Sequence, residues 1–341
     1  MTYDVTIGIP VYRAEKFIRK TMESALSQTY HNIEFLIVND GSDDQSINIL
    51  KEIKSSHPRG KDIRILDLAI NSGAYEARNL IIDKAQGTYL YFMDSDDIIE
   101  KNTIEMLMNE MKGFQADVVF GSYEKTELSG EKVLYQYPIA RYETGDEFAI
   151  FAYRRYAGIQ ASACNFLVKL SLLRENGLRF CKSRFWEDTV FTLELVSYVH
   201  RVVLLPNITY YYLCRENSLT DIHYDDNIDK TELIQYLKTI DHLKQGKNRL
   251  KDKPYYPNWC YIAVMSDIYI ICNILKRHHH IVPQFTNREL RNCLDHPASI
   301  SEIMSFRQKR LQNLALYLLG KLPAAVSIML IKLLGKAKGL I

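Results

Sequence analysis

The stretch YLYFMDSDD (residues 89–97) decides how the rest of the chain is read. A run of aromatic and apolar strand formers stops abruptly in three carboxylates within four positions, Asp94, Asp96 and Asp97. A strand that is apolar on both faces belongs inside a covered sheet. Carboxylates crowded at the end of such a strand repel one another, and holding them ionised there requires positive charge or hydrogen-bond donors opposite. The bland alternative is that Asp97 caps the next helix while its neighbours face water.

On either side of this stretch the first 125 residues alternate between two periods. Near-continuous apolar runs at 3–12, 33–40, 62–68, 88–94 and 116–123 read as buried strands. Between them, 14–28, 45–55, 74–86 and 101–112 read as helices; in the first of these Phe17, Ile18, Met22, Ala25 and Leu26 recur at helical spacing. Strands alternating with helices imply an α/β fold with a mainly parallel sheet and helices on both faces. Ligands of such sheets bind beyond the carboxyl ends of the strands. Three polar clusters fall there: Pro10-Val11-Tyr12, Asn39 to Ser42, and Asp94 to Asp97. Carboxylate oxygens suit a hard divalent cation, Mn2+ or Mg2+, which commonly bridges to phosphate. The first strand leads into IPVYRAEKF, with neither G-x-G-x-x-G nor a P-loop, so dinucleotide binding and P-loop hydrolysis lose their main support.

Beyond residue 140 the pattern loosens. Helices are expected near 145–156, 169–175 and 188–199, a strand near 201–213, and a helical, aromatic region from 226 to 300. Six cysteines form no C-x-x-C pair, so neither a zinc knuckle nor a disulfide framework is indicated. The start MTYDVTIGIP lacks a signal-peptide pattern, and a reducing cytoplasm is the expected compartment. After Glu302, the last acid, come Arg307, Lys309, Arg310, Lys321, Lys332, Lys336 and Lys338, seven cations and no anion. This basic, apolar tail is broken by Lys321, Pro323 and Lys332, which argues against a membrane span. It reads either as an amphipathic element on an anionic membrane surface, with Leu316, Leu319, Leu322, Ile328, Leu330 and Leu334 inserted, or as a helix docked on the protein itself. The boundaries expected are 1–225, 226–306 and 307–341.

IPVYRAEKFIRKTMESALSQTYHNIEFLIVNDGSDD, NSGAYEARN (71–79), FMDSDD and FWEDTVFTLEL (185–195) follow one another in the order and spacing of the family 2 glycosyltransferases. The resemblance spans roughly residues 1–220 and implies a GT-A (Rossmann-like) sheet. It implies that Pro10 lies in the donor site, that Tyr12 and Asp40 hold the nucleotide base, and that Asn71 and Arg78 sit in the segment that contacts the base and closes the donor pocket. It also implies that Asp94 meets the ribose and that Asp96 is the metal ligand. The family's Pro-x-Tyr-Asn reads Pro-x-Tyr-Arg here, with Arg13 last, which leaves the local turn open. The segment YYLCRENSLT (211–220) resembles the loop over the diphosphate and supplies Arg215, Ser218 and Thr220. His223 is either a further metal ligand or an ordinary surface histidine. Glu187 and Asp188 occupy the place of the family's Glu-Asp pair, with Asp188 as general base; taken alone they could be ordinary helix-start acids. Trp186 either stacks on an acceptor sugar or packs in the core.

The resemblance therefore implies an inverting hexosyl- or N-acetylhexosaminyl-transferase. It would move a sugar from a nucleotide sugar, a UDP-sugar, to a glycan or lipid-linked glycan acceptor in cell-surface polysaccharide synthesis. The expected place is the inner face of the cell membrane, and no nucleic-acid partner is expected. The alternatives are a nucleotidyltransferase-like protein, which would favour a Gly-rich basic first loop, and a non-catalytic nucleotide-sugar-binding module, which would lack the metal carboxylate or the base.

Overall fold

The computed structural model describes residues 3–154, 159–160, 162–183, 186–215 and 228–341. Ser218, Thr220 and His223 lie outside the described residues. The chain divides into two compact units: residues 1–148, 161–180 and 191–222 form the first, and 149–160, 181–190 and 223–341 the second.

The first unit is built on one sheet. Its strands are β1 (Tyr3–Val11), β2 (Ile33–Asn39), β3 (Ile63–Asp67), β4 (Gly87–Phe92), β5 (Ile98–Ile99), β6 (Val118–Thr126), β7 (Lys132–Tyr135), β8 (Ala140–Tyr142), β9 (Phe166–Lys169) and β10 (Val202–Leu213). They run in the order β3-β2-β1-β4-β9-β6-β10-β5, with β7 on β6 and β8 on β10. The β1–β2, β2–β3, β1–β4 and β6–β10 pairs are parallel. β9, which the sequence does not announce, is inserted antiparallel between β4 and β6. The helices between strands are α1 (Ile18–Leu26), α2 (Ser46–Ser56), α3 (Ala74–Lys84), α4 (Thr103–Gly113), α5 (Gly145–Arg154), α6 (Leu170–Glu175) and α7 (Glu187–Val196), of which α5 and α7 are each divided between the two units. Every residue of β2 is buried, as its unbroken apolar run requires, and in β1 Val5, Ile7 and Ile9 have no exposed surface.

The second unit is helical. It contains α8 (Lys230–Gln245), α9 (Lys247–Leu250), α10 (Tyr256–Lys276), α11 (Asn287–Asn292), α12 (Ile300–Ser305), α13 (Arg310–Lys321) and α14 (Ala324–Ala337), with β11 (Ile228–Asp229) beside β12 (Ile281–Val282). α10 has 21 residues and is apolar enough to cross a membrane, but it is mostly buried inside its unit and serves as the core helix. α13 and α14 pack on α10, α11 and α12. Of the tail side chains the sequence offers to a membrane, Leu316, Leu319 and Ile328 are buried in this packing. Leu334 of that set is exposed, together with others outside it, among them Leu311, Leu318, Met329 and Leu333. The tail is apolar on two sides, and the sequence alone does not tell which side is covered.

Candidate active site

The parallel registers bring the three polar clusters to one edge of the sheet. Pro10 pairs with Val38, the Asp40 N–H donates to the Val11 carbonyl (2.8 Å), and the Met93 N–H donates to the Gly8 carbonyl (3.0 Å). The loops after β1, β2 and β4 therefore emerge side by side.

Asp40 is buried just beyond β2. Its two oxygens accept the N–H groups of Ser72 (2.6 Å) and Gly73 (2.9 Å). Burial pushes its carboxyl above the ordinary value, and these two bonds oppose the rise. Asp40 thus holds the 70–73 loop, which carries Asn71 at the surface. Gly41 makes this approach possible. It sits at φ +66°, and a Cβ there would lie 2.7 Å from the Asn71 nitrogen. Tyr12 follows β1 and is 39% exposed, with the Arg13 guanidinium 5.3 Å from the centre of its ring. Arg13 settles the open question about the turn. It adopts the left-handed conformation, φ +47°, that an Asn takes more readily. It is anchored there by a forked ion pair to Asp43, with both contacts at 2.7 Å.

The three carboxylates of the opening stretch each meet a different partner. Asp94 Oδ1 accepts from Arg78 Nη2 (2.9 Å), and the Arg78 guanidinium also lies 5.5 Å from the centre of the Phe180 ring. Asp96 forms a close ion pair with Arg215 Nε, and that guanidinium covers the Phe17 ring at 5.1 Å. Asp97 is fully buried; its Oδ2 accepts the Tyr210 hydroxyl (2.7 Å) and its Oδ1 the Leu213 N–H (3.0 Å). Asp97 is therefore not a helix cap. α4 begins at Thr103, preceded by Asn102, and Asp97 instead ties the loop to β10. The Tyr210 hydroxyl also accepts the Asp94 N–H (3.1 Å). Burial holds this phenol well above its ordinary value, so it stays a donor. Tyr210 is a positioning residue that sequence reasoning missed; the only signal was its place in a tyrosine-rich strand.

Three carboxyl groups are crowded against two guanidiniums. The consequence is visible in the acids. Burial and then Asp94 push Asp96 above its ordinary value, against the pull of Arg215. Burial, Asp96 and Asp94 push Asp97 well above its own. A divalent cation bound here would favour the ionised forms of these acids. Among the described residues no three His, Cys, Asp or Glu side chains converge as a complete ligand set. A cation held by Asp96 would therefore need further donors from outside these side chains.

Glu187 and Asp188 begin α7 and belong to the second unit. Glu187 is buried, and Asp188 Oδ1 accepts the Thr189 N–H (2.7 Å). Just before them Trp186 takes φ +66°, and its ring rests on that of Tyr269 from α10 at 5.3 Å. The candidate base and this aromatic pair are thus in one unit, and the carboxylate–guanidinium cluster is in the other.

Known proteins share both the sequence pattern and the fold. The Glycosyl transferase family 2 model matches residues 6–177. Glycosyltransferase GlyA of Streptococcus pneumoniae is 33% identical over 64% of this chain, and the match spans 32% of the relative, about a third of its length. Glycosyltransferase GlyG of the same organism is 28% identical over 65% of this chain and 74% of its own. Residues 1–349 of Staphylococcus aureus TarS, crystallised with UDP-GlcNAc, superpose with a TM-score of 0.63 at 18% identity, covering 97% of this chain and 89% of that one. The chain is a glycosyltransferase of family 2, with the GT-A fold and a helical C-terminal region.

Proposed function

We propose that the chain transfers a sugar from a UDP-sugar to a hydroxyl of a glycan or lipid-linked glycan, with inversion at the anomeric carbon. The observation that carries the reading is the crowding of Asp94, Asp96 and Asp97 at one strand end, with Asp96 held against Arg215, and the exposed ring of Tyr12 at the end of a neighbouring strand. Tyr12 would stack on the base, and Arg78 and Arg215 would steady the charged part of the donor. A divalent cation, Mn2+ or Mg2+, held by Asp96 would neutralise the diphosphate as the bond to the anomeric carbon breaks. Asp188 would take the proton from the acceptor hydroxyl as its oxygen attacks that carbon. The diphosphate leaves with the bonding electron pair, and one displacement gives inversion. TarS binds UDP-GlcNAc. The teichoic acid poly(glycerol phosphate) polymerase of Staphylococcus epidermidis is 28% identical over 61% of this chain. The first supports a nucleotide-sugar donor and the second a role in surface-polymer synthesis; the reading takes the group transferred as hexosyl or N-acetylhexosaminyl. The reading places the chain in the cytoplasm at the inner face of the membrane, touching it through the region after residue 307.

The test is a screen of nucleotide sugars for cation-dependent release of nucleoside diphosphate, followed by NMR of the product. Retention of configuration, or no release from any UDP-sugar, would overturn the reading.

A further inference from the structure

We infer that a cleft at the start of α14 binds the phosphate of an anionic phospholipid headgroup. The inference rests on the membrane-contact reading above and gives that contact a specific site. The cleft encloses about 460 Å3, a size suited to a small-molecule group, and is lined by Arg288, Arg291, Asn292, Lys321, Pro323 and Ala324 among others. All of them belong to the second unit.

Arg288 and Arg291 are three apart on α11 and so share a face. Among the described residues neither forms an ion pair. Arg291 Nη1 reaches only the Asn292 Oδ1, at 3.5 Å, and its Nε is buried with no acceptor. A buried guanidinium N–H without an acceptor is destabilising, and an anion in the cleft would remove that cost. Lys321 is near Asp295 at 3.7 Å, but both are largely exposed and the pair is weak. The first turn of α14 adds donors. The Pro323 carbonyl accepts from Val326 and Ser327, which leaves the N–H groups of Ala324 and Ala325 at the positive end of a 14-residue helix. Two forked guanidiniums, an ammonium and a helix start match the oxygens of a phosphate.

The surface beyond the cleft favours a lipid as the source of that phosphate. Val326, Met329 and Leu333 recur along one side of α14 and are 38%, 53% and 57% exposed. Lys332 and Lys336 are exposed on the same helix. A phosphodiester carrying acyl chains matches the cleft and the stripe together, and an anionic surface attracts the flanking lysines.

The test measures binding to the full chain by calorimetry, with dihexanoyl phosphatidylglycerol below its micelle concentration, dihexanoyl phosphatidylcholine and inorganic phosphate as probes. Phosphatidylglycerol should bind saturably, one to one, and the other two more weakly. Arg288→Gln with Arg291→Gln should weaken it by about tenfold or more, the scale of lost charge-assisted hydrogen bonds, with a melting temperature no lower than that of wild type. Arg288→Lys with Arg291→Lys, which keeps the charge but not the fork, should fold as wild type and still bind more weakly. Lys332→Gln with Lys336→Gln should leave this short-chain binding unchanged. Absence of saturable binding, or equal loss in the arginine and lysine variants, overturns the site. Inorganic phosphate binding as tightly as phosphatidylglycerol overturns the lipid as its source. If the chain sediments with phosphatidylglycerol vesicles yet shows no saturable short-chain binding, the membrane contact stands and the cleft is refuted.

Discussion

Replacing Tyr210 by Phe should weaken the first unit more than any surface change, because one hydroxyl serves two buried groups. Tyr210 is 1% exposed, donates to Asp97 Oδ2 at 2.7 Å and accepts the Asp94 N–H at 3.1 Å. Phe keeps the ring, so no cavity opens. The Asp94 N–H loses its acceptor and the Asp97 carboxyl loses a hydrogen-bond partner, each at about 1–3 kcal/mol. The Leu213 N–H remains on the other oxygen at 3.0 Å. The expected loss is therefore about 3 kcal/mol or more, over a hundredfold in the folding equilibrium. Urea denaturation followed by circular dichroism is the suitable assay. Both tryptophans, Trp186 and Trp259, lie in the second unit, so their fluorescence would not report on the sheet. Tyr211→Phe is the control; its hydroxyl donates to Glu100 Oε2 at 2.9 Å from a half-exposed position and should cost about 1 kcal/mol or less. If Tyr210→Phe falls within about 1 kcal/mol of wild type, or matches the control, the hydroxyl does not anchor the loop. A pH series adds a second check. Asp97 is raised in the folded state, so its contribution is present at low pH and is lost as pH rises through its folded value. Losing the Tyr210 donor should move that loss to higher pH.

Asp96→Asn should abolish Mn2+- or Mg2+-dependent turnover while the melting temperature holds; full activity in this variant, or in EDTA, refutes the assignment. Asp188→Asn should keep donor affinity and lower transfer by about 100-fold or more in a single-turnover assay, and near-normal transfer would contradict a base there. Asp267, fully buried on α10 with its carboxylate 2.5 Å from Lys244 Nζ, is pushed up to about 7, mainly by burial. Its contribution to the stability of the second unit should be complete below about pH 4 and lost as pH rises through about 7, and Asp267→Asn should flatten that slope in thermal melts. Truncation after residue 306 removes Leu316, Leu319, Ile328 and Ile331 from the second unit's core, each worth about 1.5–3 kcal/mol, and should unfold that unit. Native-like Trp259 fluorescence in the truncated chain would refute the packing.

The strands of the first unit were legible because burial on both faces leaves an unbroken apolar run, as in IEFLIVN of β2. β9 was not. Its four residues, FLVK, run directly into α6, and nothing local marks a strand. Its place is fixed by antiparallel pairing to β4 on one side and β6 on the other, partners remote in sequence. Asn165, at φ +65° just before it, accepts from Thr209 and donates to the carbonyls of Gly121 and Ser122, joining the segment to β6 and β10. Long-range pairing of this kind determines whether a short apolar run becomes strand or helix, and composition does not encode it.

The site shows the same division between what is local and what is not. Three acids at a strand end announced a need for positive charge, and that need follows from Coulomb repulsion whatever the fold. Which cations answer it depends on topology. Arg78 comes from α3 and Arg215 from just beyond β10, and Asp97 finds a tyrosine hydroxyl rather than a cation. Asp96 and Asp97 are indistinguishable as a pair of letters, yet the loop turns them to opposite tasks. Asp97 points into the protein and has both oxygens bonded to β10. Asp96 meets Arg215, whose side chain remains 28% exposed. If a cation binds here, as proposed above, Asp96 is the carboxylate it could engage without breaking the bonds that tie the loop to β10.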